Sequence, residues 1–149
     1  MKRLFCALLV VVVVFSTVPT AANAAECEQT IIHFADGGYL VSEVIPVATR
    51  AAGEISASKP YTYYDANGRS QWMITLSGVF RYTGSSAVCT DASASVTVYD
   101  SSWYTISKTT REDGASAVCA ATMGRKGAGA TSTFPVSLRL TCDANGNLS

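Results

Sequence analysis

"QWMITLSGVFRY", residues 71–82, decides the fold. Trp72, Ile74, Leu76, Phe80 and Tyr82 share one parity, while Thr75, Ser77 and Arg81 take the other. A period of two over a dozen residues marks a β-strand with one buried and one wet face. The same rhythm continues outward. In "SASVTVY" Ala94, Val96 and Val98 alternate with Ser95, Thr97 and Tyr99; in "TFPVSLRLTC" Phe134, Val136, Leu138, Leu140 and Cys142 alternate with Pro135, Ser137, Arg139 and Thr141. "WYTISKTT" and "SAVCAATM" are weaker strands of similar length. Turn signals separate them at Thr83-Gly84-Ser85, Asp100-Ser101-Ser102, Glu112-Asp113-Gly114 and Gly127-Ala128-Gly129. No segment beyond the N-terminal leader has a helical period. The expectation is an all-β protein, an antiparallel β-sandwich of short strands spanning residues 59–149.

Upstream, "TIIHFADGGYLVSEVIPV" places two apolar runs around Asp36-Gly37-Gly38, which reads as a β-hairpin. The small, polar "ATRAAGEISAS" that follows reads as a linker near residues 48–58. Residues 25–58 are thus expected as an N-terminal hairpin segment and linker, either added to the sandwich or held as an arm.

The chain starts with an address. "MKRLFCALLVVVVVFSTVPTAANA" has a basic start at Lys2 and Arg3, an apolar run from Leu4 to Phe15, and Ala22-Asn23-Ala24 as an A-x-A cleavage site. That is the pattern of a cleaved secretory signal peptide over residues 1–24. The apolar run is shorter than the ~18–20 residues a membrane-spanning helix needs. The expected product is secreted and extracellular, with no membrane attachment after cleavage.

Lys plus Arg and Asp plus Glu each number eleven in the full chain, and loss of the two leader cations leaves a mildly acidic remainder. The remaining cations are scattered and form no stripe with aromatics, which argues against a nucleic-acid partner. Metal, cofactor and catalytic signatures do not emerge either. His33, the single histidine, lies in an apolar strand, and the acids sit mostly in turns rather than as an opposed catalytic pair. No zinc-type spacing, P-loop or Gly-x-Ser-x-Gly occurs. The balance leans away from an enzyme.

Asp-Ala-Asn-Gly occurs twice, at residues 65–68 and 143–146. A calcium loop of the EF-hand kind needs glycine at its sixth position and glutamate at its twelfth. Here glycine is fourth and no acid follows between Gly68 and Thr75. The motif reads as a turn, with Asp capping its own backbone and Gly taking positive φ.

The aromatic residues are the functional candidates. "YTYY" puts Tyr61 and Tyr63 on one face of an extended chain and Tyr64 on the other, and Trp103 opens a strand after a polar turn. Tyr61, Tyr63 and Trp103 are nominated as an exposed binding face for a glycan or a protein at the cell envelope; covering a sheet edge is the alternative role. Four cysteines follow the leader, and export favours disulfides. Cys89 and Cys142 both precede turns at strand ends, so they are the expected pair; Cys119, in mid-strand, reads either as a buried free thiol or as the partner of Cys27 in a second bridge. Pairing of Cys89 with Cys119 through the near-repeat "SAVC" competes with this.

Segments "ATRA", "WMITLSG", "YTGSSAVCT" and "LTCDANGNLS" resemble a group of short exported proteins of Gram-positive bacteria. The resemblance covers nearly all the chain after the leader and implies export and one β domain. It carries over no activity, cofactor or functional residue. The functional expectation is therefore a secreted or cell-surface binding module, with a small secreted hydrolase as the rival and a secreted inhibitor or toxin-like effector as a third reading.

Overall fold

The computed structural model describes residues 29–51, 53–127 and 132–149; the expected leader at 1–24 and Cys27 lie outside them. The described residues contain no helix and form nine antiparallel strands. These are β1 (Gln29–His33), β2 (Tyr39–Glu43), β3 (Ile45–Ala51), β4 (Glu54–Tyr64), β5 (Ser70–Tyr82), β6 (Ala87–Val98), β7 (Trp103–Asp113), β8 (Ser116–Arg125) and β9 (Ser132–Thr141). Six strands make sheet A in the order β1-β2-β4-β5-β6, with β3 also paired to β4; sheet B is β7-β8-β9. The described residues form an all-β sandwich with antiparallel sheets.

The alternation in β5 sets the layers. Trp72, Ile74, Leu76 and Phe80 are fully buried and meet Ala117, Cys119, Ala121, Met123, Leu138 and Leu140 from β8 and β9 in one core. Apolar area removed from water at these positions is the main stabilising term. The other face of β5, carrying Met73, Thr75 and Ser77, stays half open.

The segment read as a linker is not one. Residues 54–58 begin β4, the strand between β5 on one side and β2 and β3 on the other, and a boundary at residue 58 would fall inside it. The N-terminal hairpin joins the same sheet through β2. Packing is tight where this strand meets β5. Ala57 pairs with Gly78, and a Cβ on Gly78 would stand 2.7 Å from the Phe80 ring and 3.2 Å from the Ala117 Cβ. The Phe80 ring occupies the space that a side chain at Gly78, across from Ala57, would need.

Both Asp-Ala-Asn-Gly copies are turns of one design. Asp65 Oδ1 accepts from the amides of Asn67 and Arg69, each at 2.9 Å, and Asp143 Oδ1 accepts from those of Asn145 and Asn147, each at 2.8 Å. Gly68 and Gly146 take φ of +75° and +88°, where a Cβ is strained. Neither asparagine adopts a left-handed conformation, so glycine alone supplies it.

Edge strand β6 is also managed. Lys108 Nζ donates to the Ala94 carbonyl, filling an acceptor on the strand's free side.

Candidate functional site

The three aromatic residues nominated from sequence are structural. Tyr61, Tyr63 and Trp103 are all buried. On β4, Tyr61 and Tyr63 lie opposite Ile74 and Trp72, on the face that sheet B covers. The Tyr61 hydroxyl donates to the Arg139 carbonyl on β9 at 2.8 Å and accepts from the Arg139 amide at 3.3 Å, linking the two sheets. Tyr63 donates to Asp36 Oδ2 at 3.0 Å, tying β4 to the β1–β2 turn. Burial pushes the phenols of both up to about 12; the hydrogen bond to Asp36 adds to the shift at Tyr63.

Trp103 is carried inward by the β6–β7 connection. The amides of Tyr99 and Asp100 both bond the Gln71 carbonyl, and the Trp103 amide bonds the Asp100 carbonyl at 3.0 Å. The indole N–H then donates to Gln71 Oε1 at 3.1 Å, which satisfies its polar edge inside the protein. Trp103, Tyr63, Trp72, Phe134 and Phe34 form one cluster of ring contacts. Period-two patterning placed the tyrosines on one face; only the second sheet decides that this face is the inside.

The expected Cys89–Cys142 disulfide is absent. Cys89, Cys119 and Cys142 are buried free thiols. Cys89 and Cys142 do converge on the β7–β8 turn, where their amides donate to the carbonyls of Gly114 and Ala115. Each sulfur instead serves its own strand end: Cys89 Sγ donates to the Asp91 carbonyl and Cys142 Sγ to that of Asp143. Cys119 is a free thiol in mid-strand, and its proposed partner Cys27 is outside the described residues. Burial raises all three thiols above their ordinary range. That holds them protonated and poorly nucleophilic near neutral pH.

What remains open is the outer face of sheet A. Here His33, Tyr39 and Tyr64 stand directly opposite one another across β1, β2 and β4. The Tyr39 and Tyr64 rings stack at 5.1 Å with 13° between planes, and His33 meets Tyr39 at 5.8 Å. Both tyrosines are half-buried. Gly68 in the first Asp-Ala-Asn-Gly turn holds its backbone beside the Tyr39 hydroxyl. One row along are Thr62, Met73 and Thr97, and exposed Tyr99 places its hydroxyl 3.7 Å from Met73 Sδ. The next rows are Pro60, Thr75 and Ser95, then Ser58, Ser77 and Ser93. An aromatic ledge thus leads into a track of hydroxyls across three strands.

This arrangement offers apolar ring surface and neutral hydrogen-bonding groups, with no concentration of charge. Sequence reasoning set Tyr64 apart from Tyr61 and Tyr63 by parity but followed the wrong pair. It had no signal for Tyr39, whose partner is 25 positions away. No group of three metal-ligating side chains occurs among the described residues. No protein-family model, curated protein or solved structure matches the chain.

Proposed function

We propose that this protein is an exported binding module that lays a saccharide chain across the outer face of sheet A. The observation that carries the reading is the stacked Tyr39–Tyr64 pair on that face, continuous with rows of threonine and serine. Aromatic side chains present apolar surface with a polar tip, which suits the C–H faces and hydroxyl rims of sugars. The short basic start, apolar run and A-x-A site support export, and export would bring the module to glycans outside the cell. His33 packs its ring against Tyr39, which favours a place in the ledge over a catalytic one.

The test is equilibrium binding of the full chain to insoluble peptidoglycan, chitin and cellulose. Tyr39→Ala and Tyr64→Ala should each weaken binding by roughly tenfold, the scale of an interface hot spot. Thr109→Ala, an exposed position on β7 in the other sheet, should leave it unchanged. Retention of full affinity by both tyrosine variants, or no binding to any of the three polymers, would overturn the reading.

A further inference from the structure

The outer face of sheet A has a second feature, Ser58 lying six residues along β4 from Tyr64, about 20 Å at strand rise. Ser56, Ser58, Ser77 and Ser93, with Val47 and Asp91 at the sides, line a groove of about 210 Å³. Ser58, Ser77 and Ser93 are register partners on adjacent strands, and the hydroxyls of Ser58 and Ser77 bond at 2.9 Å. Small side chains in a row make a shallow surface and nothing more. Ser56 is different: it is 7% exposed, and its hydroxyl has no hydrogen-bond partner among the described residues. A buried hydroxyl left unpaired is destabilising, and β4 would keep its packing with alanine there. At the groove's other side Asp91 is exposed and takes part in no ion pair among the described residues. Val47, beside a β-bulge of β3, is 62% exposed and offers an apolar wall.

We propose that this groove is a subsite for a single neutral saccharide ring, an assignment that rests on the glycan-binding reading above. The four serine hydroxyls both donate and accept, so they match a ring of hydroxyls in either sense. The Asp91 carboxylate accepts from a sugar hydroxyl, a stronger bond than a neutral pair makes. Val47 meets the C–H face. An anionic ligand is repelled by Asp91, and an apolar one leaves Ser56 unpaired. The volume is below the ~300 Å³ at which drug-sized pockets begin, which suits one ring of a longer chain. With the Tyr39–Tyr64 ledge, the groove gives the face two anchoring points joined by the hydroxyl track, which suits a chain-like glycan.

Backbone amide NMR of the full chain, titrated with glucose, N-acetylglucosamine and carboxylate-bearing N-acetylmuramic acid, tests this directly. Shifts at Ser56, Ser58, Ser77 and Asp91 with a neutral sugar, weaker with the acidic one, are expected. Ser56→Ala should weaken that binding about 3- to 10-fold, the worth of one hydrogen bond, without lowering the melting temperature. Tyr64→Ala should leave the monosaccharide shifts at the groove intact while weakening polymer binding roughly tenfold. Polymer binding with no sugar-induced shift at the groove, or Ser56→Ala with unchanged monosaccharide affinity, would overturn the subsite and leave the binding module standing. Failure of the full chain to bind any polymer or monosaccharide would overturn both.

Discussion

Replacing Tyr61 by phenylalanine removes one oxygen and leaves the ring's volume in the core. That oxygen makes two hydrogen bonds to Arg139, donating to its carbonyl at 2.8 Å and accepting from its amide at 3.3 Å. β9 is an edge strand of sheet B, so Tyr61 supplies what a neighbouring strand would otherwise supply. At about 0.5–1.5 kcal/mol for each bond, the change costs roughly 1–3 kcal/mol. For a domain of this size that lowers the melting temperature by roughly 4–10 °C. The phenol adds a pH signature. Burial raises its folded-state pKa to about 12, above the ordinary 10 that applies to the unfolded chain. Between those values the unfolded chain binds fewer protons than the folded one, so stability falls as pH rises. The contribution is whole below pH 10 and lost by pH 12. Tyr63, also raised to about 12, acts in the same window. Denaturant titrations at intervals from pH 7 to 11.5 should therefore show Tyr61→Phe less stable at neutral pH and with a shallower alkaline decline, by up to one proton per molecule. Equal stability at pH 7 together with an unchanged alkaline slope would refute the assignment of Tyr61 as the link between sheets.

Trp103→Ala should destabilise the fold by about 3–5 kcal/mol, as removal of a buried aromatic does, whereas Tyr64→Ala on the outer face should cost much less; denaturation midpoints compare the two. Asp65→Ala removes three acceptor contacts, to Asn67, Arg69 and Gln71, and should cost about 1–2 kcal/mol. Because amide donors already occupy both Asp65 oxygens, millimolar calcium should not raise the wild-type melting temperature, and a rise of several degrees would contradict the turn assignment. Hydrogen bonds to Asn147 hold the Asp143 carboxyl below its ordinary range, so its contribution is present above the unfolded carboxylate pKa and is lost on acidification; protection factors for amide exchange at Asn145 and Asn147, corrected for the intrinsic rate at each pH, should fall as pH drops through that range. Native Cys89, Cys119 and Cys142 should resist alkylation at pH 8 and react after unfolding, with peptide mapping finding each alkylated; a Cys89–Cys142 cross-link would contradict the free-thiol state.

Strand identity was legible in the residues because it depends on a local period. The alternation in "QWMITLSGVFRY" is strand β5, and the turns after Tyr64 and Thr141 follow from Asp, Asn and Gly in fixed order. Both concern neighbours along the chain, where a side chain's direction and a glycine's φ are set by the backbone itself. What alternation leaves undetermined is which of two faces a second sheet will cover. Tyr61 and Tyr63 had the composition of a binding face until β8 and β9 closed over them, and Tyr64, one residue on, was left outside beside Tyr39. The start of β4 was hidden because Ser56, Ala57 and Ser58 are small and carry no apolar alternation; what makes them a strand is pairing with β3 and β5, which exists only across strands. The cysteines show the same division: position in sequence put Cys89 and Cys142 at strand ends beside one turn, while the folded chain leaves both as free thiols, each sulfur bonded to a carbonyl next to it in the chain. Local geometry is written in the order of residues. Burial and partnership arise from contacts between segments far apart in the chain, and those form only when the sheets pack.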